Sequence, residues 1–207
     1  FFNAGGAFIQ QPPNRTHPDF PGELPYSGMA GFSPGAGARI EALFYDAIGL
    51  EVQLIRAWDQ VQSKYTINGV DVGFKIKQPA WHVPIHLQAG IPGSVMRAYV
   101  FGGVEIVVPG KVDFPQPAGV PWTMNASGDT WHMWSFGVGF EPKLNIANVD
   151  LRFPIQLRGA ASTPYSSFAT DRATYDITED GALVGMEYDL RWQYYASVNI
   201  GLSWFFP

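Results

Sequence analysis

Apolar and polar residues alternate with a period of two along most of the chain. From 81 to 89, Trp81, Val83, Ile85, Leu87 and Ala89 alternate with His82, Pro84, His86 and Gln88. Ala38, Ile40, Ala42 and Phe44 share one parity against Arg39, Glu41 and Leu43, and Leu50, Val52 and Leu54 alternate with Glu51 and Gln53. The same order runs through Ala98, Val100, Gly102, Val104 and Ile106 against Arg97, Tyr99, Phe101, Gly103 and Glu105. It returns in Trp134, Phe136, Val138 and Phe140 against Ser135, Gly137, Gly139 and Glu141, and in Val149, Leu151, Phe153, Ile155 and Leu157 against Asp150, Arg152, Pro154, Gln156 and Arg158. A run from Ala196 to Phe206 and a weaker one through Phe2, Ala4, Gly6 and Phe8 complete the set. Side chains of a strand point to opposite faces in turn, so each run predicts a strand with one apolar face.

Eight strands are predicted, over about 1–10, 33–45, 49–60, 79–90, 95–107, 132–144, 148–158 and 183–206. Short links around Asp46, around Pro92-Gly93 and around Ala147 alternate with long links over about 11–32, 60–79, 108–131 and 159–193. Tight turns on one side and long loops on the other are the pattern of an up-and-down outer-membrane barrel, with both termini on the turn side. A soluble β-sandwich or lipocalin-like barrel shows the same alternation with its faces exchanged. Aromatic placement favours the membrane form. Trp58, Trp81, Trp131, Trp134 and Trp192 fall near loop ends, and Phe2, Phe44, Tyr45, Trp204 and Phe206 near turn ends, as two interfacial girdles would.

Composition agrees with that picture. Gly 23 and Pro 17 account for 40 of 207 residues, too many for a helical bundle. Charged residues make up only 15%, below the roughly 25% usual for soluble domains, as expected if much of the surface meets hydrocarbon. The net charge of −5 argues against nucleic acid as a partner. Absence of cysteine removes disulfides, thiolate catalysis and Cys-ligated metals. No run of 18 apolar residues could form a membrane-spanning helix, which leaves a barrel open. The chain opens Phe1-Phe2-Asn3, as expected after removal of a signal peptide.

Parity places Arg39, Arg97, Lys143, Arg152 and Arg158 on the inward face with Glu41, Glu51, Glu105, Glu141 and Asp150. Five cations against five anions predict an interlocked ion-pair lumen, because charges withdrawn from water need partners. An eight-stranded bore is just filled by side chains, so the expected lumen is plugged and conducts little. His82 and His86 share the inward face and read as part of that polar core; neither has a third ligand at a metal-binding spacing. His132 and Ser135 are residue types used by outer-membrane lipid A deacylases and acyltransferases, but their spacing puts them on opposite faces of a strand. No catalytic residue, metal or cofactor is therefore expected.

The run from Met96 to Glu105, the glycine-alternating Phe136-Gly137-Val138-Gly139-Phe140-Glu141 and the last stretch from Ser197 to Phe206 resemble small outer-membrane barrels of the OmpA-like and PorT-like type. The final stretch is similar to the C-terminal signal read by the barrel-assembly machinery, with Pro207 after the usual terminal aromatic. The resemblance implies an all-β transmembrane barrel in a bacterial outer membrane. It implies no activity.

The loops carry the remaining signal. Asn68-Gly69 between two alternating runs predicts a type I′ hairpin that carries Tyr65 and Phe74 beyond the bilayer. Parity slips at 57–61 and 77–79 predict bulges at the membrane boundary. In the last strand Val184, Met186, Tyr188, Leu190, Trp192 and Tyr194 extend the apolar parity to about 23 residues, against about 9–11 needed to span. The surplus forms an apolar stripe expected to meet another protein, a loop or lipopolysaccharide. Pro12-Pro13, Pro18, Pro21 and Pro25 stiffen the first loop, and Pro109, Pro115, Pro117 and Pro121 the third. The expected function is non-enzymatic binding of an extracellular partner or a second copy. A narrow pore and an outer-leaflet lipid A-modifying enzyme are the alternatives.

Overall fold

The computed structural model describes residues 2–9, 29–67, 70–111, 122–125, 130–146, 149–162, 173–179, 182–188 and 194–205. The strands in chain order are β1 (Phe2–Ile9), β2 (Met29–Phe44), β3 (Ile48–Ile67), β4 (Val70–Ile91), β5 (Met96–Pro109), β6 (Trp122–Asn125), β7 (Trp131–Ile146), β8 (Val149–Arg152), β9 (Ile155–Ser162), β10 (Ala173–Glu179), β11 (Ala182–Tyr188), β12 (Tyr194–Ile200) and β13 (Ser203–Phe205). All pairings are antiparallel, and they form a ring: β1–β2–β3–β4–β5–β7–β9–β12 and back to β1. β8 continues the line of β9 along β7, and β13 pairs with β8 below β12, so the barrel has eight staves, two of them interrupted.

Register fixes the barrel's shape. Successive register partners lead from Tyr99 through Gly139, Gln156, Asn199, Asn3, Gly35, Ala57 and Ala80 back to β5 at Pro109, ten residues along. With about 3.3 Å rise per residue and about 4.8 Å between strands, that stagger tilts the staves by about 40°. The backbone then lies about 8 Å from the axis, a bore that inward side chains close.

The short links sit together at one end. Ala47 N–H donates to Phe44 O at 3.1 Å across a two-residue turn in which Tyr45 (φ 54°) and Asp46 (φ 55°) are both left-handed. Aspartate tolerates that conformation; tyrosine does so at a cost, which the contacts of Asp46 described below offset. At the other end β3 and β4 outrun their neighbours. β2 pairs with β3 no further than Gln62, and β5 with β4 no further than Ala80, while β3 and β4 pair on to Ile67↔Val70. The two arms of the expected projecting hairpin are thus paired up to Ile67↔Val70, while Asn68 and Gly69 lie outside the described residues.

Three expectations are corrected. Register is constant through 57–61 and 77–79, so no bulge interrupts β2, β3 or β4 there. The apparent slips arise because Ile55, Ala57 and Ala80 point inward while Arg56, Gln60 and Lys77 point outward. The last strand does not run from 183 to 206: β11 pairs with β10, which pairs with β6, as a separate three-stranded sheet, and the barrel stave begins at Tyr194. Apolar alternation alone cannot tell one long strand from two that pair elsewhere. The third link, expected as loop, contains β6.

Candidate functional site

The barrel is polar inside and apolar outside. Among the described residues 17 buried side chains are polar or charged against 10 that are hydrophobic, the reverse of a water-soluble core. Outward positions carry Ile40, Leu50, Val52, Leu87, Val100, Phe136, Val138, Leu157 and Ile200, with Leu87 68% exposed. Exposed Phe44, Tyr45 and Trp204 mark the turn end of this belt, and Trp58, Trp81, Trp134 and Tyr194 its loop end. From Ile48 to Trp58 on β3 the belt is about 25 Å tall at this tilt, the height of a barrel's lipid-facing band. Trp131, grouped with the loop-end girdle by sequence, instead faces the lumen; Trp192 lies outside the described residues.

Every inward charge expected from parity is found there, in three tiers. At the turn end Arg39 bonds Glu41 and Glu141 (2.6 Å to Glu141), Arg97 reaches Glu41 at 2.8 Å and Glu141 at 3.3 Å, and Arg152 reaches Asp150 at 2.9 Å. Asp46 closes this tier: its carboxylate bonds Lys143 and Arg152 (3.0 Å to Arg152), and its carbonyl accepts from Arg97 Nε at 3.0 Å. Burial pushes the Asp46 carboxyl up, but hydrogen bonds from Lys143 and Arg152 outweigh it and hold the group below the usual aspartate value.

The middle tier centres on Glu51. Its oxygens accept from Gln53 (2.5 Å), Gln88 (2.9 Å) and Gln156 (2.9 and 3.1 Å), with Arg39 Nη1 at 3.3 Å and His86 Nδ1 at 3.3 Å. His86 Nε2 lies 2.9 Å from Ser135 Oγ, and Gln156 also donates to the Tyr99 hydroxyl at 3.1 Å. Tyr99 and Phe101 are cross-strand partners of Gly139 and Gly137, and their rings occupy the space where a side chain at either glycine would stand. In the upper tier His82 lies between Glu105 (2.5 Å from Nδ1) and Asp59 (3.4 Å from Nε2), and Ser33 donates to Asp59. Each ring nitrogen of His82 therefore faces a carboxylate. Arg158 stands 3.7 Å from Glu105 and 5.3 Å from the Tyr195 ring centroid. Above it Ala80, Val107, Trp131, Met133, Ala160 and Tyr195 form an apolar stopper.

The expected five-against-five balance omits two anions. Asp46 was read as turn and Asp59 lay in the apparent slip, yet both face the charged interior. The neutral bridging residues Gln53, Gln88, Gln156, Asn199 and Ser135 were also missed; their signal was present, since all share the inward parity. His132 is exposed and Ser135 buried on opposite faces, as their spacing requires; the partner of Ser135 is His86. No group of three or more His, Asp or Glu among the described residues is arranged to hold a metal ion.

Of the residues expected on a partner surface, Tyr65 pairs in register with Val72, and Phe74 with Ser63, on the projecting hairpin. Met186 and Tyr188 pair with Tyr175 and Ala173 in the separate sheet, so they do not extend the last stave. Leu190 and Trp192 lie outside the described residues.

No protein-family model matches this chain, and no curated protein matches it by sequence. Among solved structures it is similar to the outer membrane protein OprG from Pseudomonas aeruginosa, at 13% identity and a TM-score of 0.46, over 98% of this chain and 90% of that one.

Proposed function

We propose that this chain is an integral outer-membrane barrel with a plugged lumen, acting through its loop-end strands as a structural or partner-binding protein. The inverted distribution of polarity carries the reading: a closed sheet that buries ion pairs and presents a 25 Å apolar belt, about the height of the hydrocarbon band, is stable in lipid and not in water. In this reading the short turns and both termini are periplasmic, and the β3–β4 hairpin and the β6–β10–β11 sheet are extracellular. The β3–β4 arms extend past their neighbours in the barrel, and with the separate sheet they are the surface offered to a protein partner or a second copy.

The reading is non-enzymatic. Ser135, His86 and Glu51 follow one another as nucleophile, base and orienting carboxylate would, but each is at most 1% exposed, which leaves a substrate no approach. A narrow pore is the second reading, favoured by Ser197 Oγ and Asn199 Oδ1, buried polar atoms without a protein partner that water could serve.

A photo-crosslinker at Tyr65 or Tyr188 in the cell envelope tests the leading reading. A defined protein adduct or a crosslinked dimer is expected. Capture of lipid alone would refute partner binding and leave only the structural role.

A further inference from the structure

Among the described side chains eight are Lys or Arg, and they divide by location. Arg39, Arg97, Lys143, Arg152 and Arg158 face the interior and are paired with carboxylates there. Arg56, Lys77 and Lys111 are outside, and none has a carboxylate within ion-pair distance among the described residues. All three lie at the loop end of one side of the barrel. Arg56 and Trp81 are register partners on β3 and β4, with the guanidinium 5.2 Å from the indole centroid. Lys77 shares the outward face of β4 with Trp81, four residues further toward the loops and opposite Gln60. Lys111 follows Gly110, which is tied to β4 by its N–H to Pro79 O (2.7 Å) and by its carbonyl, which accepts from Gln78 (3.4 Å).

The described acidic residues are elsewhere: Glu41, Glu51, Asp59, Glu105 and Glu141 line the lumen, and Asp46 and Asp150 close the turn end. The charge on the described outer face is thus of one sign and gathered on β3, β4 and the end of β5. Its height is set by Trp58 and Trp81, residues that bilayers hold at headgroup level. An arginine here lays its stem on apolar surface and keeps its head polar, while stacking on an indole leaves its edge donors free for an anion. Trp81 and Lys77 are about 13 Å apart along the strand, wider than a single phosphate.

We propose that Arg56, Lys77 and Lys111 form a binding ridge for the phosphates of a bis-phosphorylated glycolipid of the outer leaflet. Arg56, held on Trp81, takes one phosphate, and Lys77 with Lys111 takes the other. The proposal rests on the membrane reading above.

The test is native mass spectrometry of the folded barrel in neutral detergent with added lipid A, dephosphorylated lipid A or phosphatidylglycerol. Wild type is expected to retain lipid A and neither of the other two. R56Q/K77Q/K111Q should lose it by roughly tenfold for each contact removed, while R56K/K77R/K111R keeps it. Equal retention by wild type and the triple Gln variant, or retention of the other lipids as strongly as lipid A, would overturn the proposal. Heat-modifiable gel mobility on the same samples reads folding independently. If the triple variant does not fold, K77Q and K111Q, at exposed positions without ion-pair partners among the described residues, carry the same comparison. A wild-type chain that never shows a heat-modifiable form overturns the membrane reading and this proposal with it.

Discussion

Glu51→Gln keeps the shape of a central lumen side chain and removes its charge. The carboxylate is 0% exposed and is faced by donors from Gln53, Gln88, Gln156 and Arg39, with His86 alongside. An amide offers one acceptor oxygen and turns its own NH2 toward these donors, so at least two lose their acceptor and Arg39 keeps Glu41 and Glu141 as its carboxylate partners, with the Tyr99 hydroxyl at 3.5 Å. An unsatisfied buried donor costs about 1–3 kcal/mol, and breaking a buried ion pair from one side about 3–5 kcal/mol. These overlap, so the expected loss is about 3–5 kcal/mol. For a urea slope of about 1–3 kcal/mol/M, the unfolding midpoint falls by at least about 1 M. The assay is urea titration of the barrel in phospholipid vesicles, followed by heat-modifiable mobility. Glu51→Gln with Gln156→Glu returns a carboxylate to the same cage, where Gln53 at 2.8 Å and Asn199 at 3.3 Å already donate to residue 156, and should recover more than half of the loss. A single variant within about 0.5 kcal/mol of wild type would refute the reasoning, since only a water-filled lumen would tolerate the change so well.

Leu157→Arg, on the outward belt opposite Val138, is expected to destabilise the barrel by about 2–4 kcal/mol in vesicles, read by the same titration; a change near zero would mean that this face meets water. Gly139→Val would drive its side chain into the Tyr99 ring and should cost about 1–3 kcal/mol, with a Gly139→Val/Tyr99→Ala double variant less than additive in a double-mutant cycle. Because the Asp46 carboxyl is lowered by folding from its value of 3.8, its stabilisation is complete above that value and is lost as pH falls through the lower folded value. Asp46→Asn should therefore flatten the fall in urea midpoint below about pH 4, and a variant that keeps the wild-type slope would show that the turn contributes nothing to it.

Much of the barrel was legible because its chemistry has the period of its geometry. His82, Pro84, His86 and Gln88 could face only one way, and constant register carries that assignment along the paired residues of β3 and β4. Legibility failed where polarity changes along the axis rather than across the sheet. Ile55 and Ala57 are inward yet apolar near the loop end, where Ala80 and Trp131 belong to the stopper, while Arg56 and Lys77 are outward yet charged; a rule written for the middle of a bilayer reads the first as slips and Trp131 as a girdle residue. Val184 to Tyr188 failed for another reason: pairing with β10 is set by tertiary contacts, and the strand's own alternation holds nothing about its partner. Asp46 was hidden by its turn, since what aims it at Lys143 and Arg152 is a left-handed backbone at two non-glycine residues.

The central claim is a membrane-spanning barrel whose charged interior is sealed by its own ion pairs. Single-channel recording in planar bilayers tests it most directly, on wild-type protein whose insertion is confirmed by heat-modifiable mobility. The predicted record shows no stable conducting steps. Large, long-lived steps from inserted wild-type protein would contradict the claim.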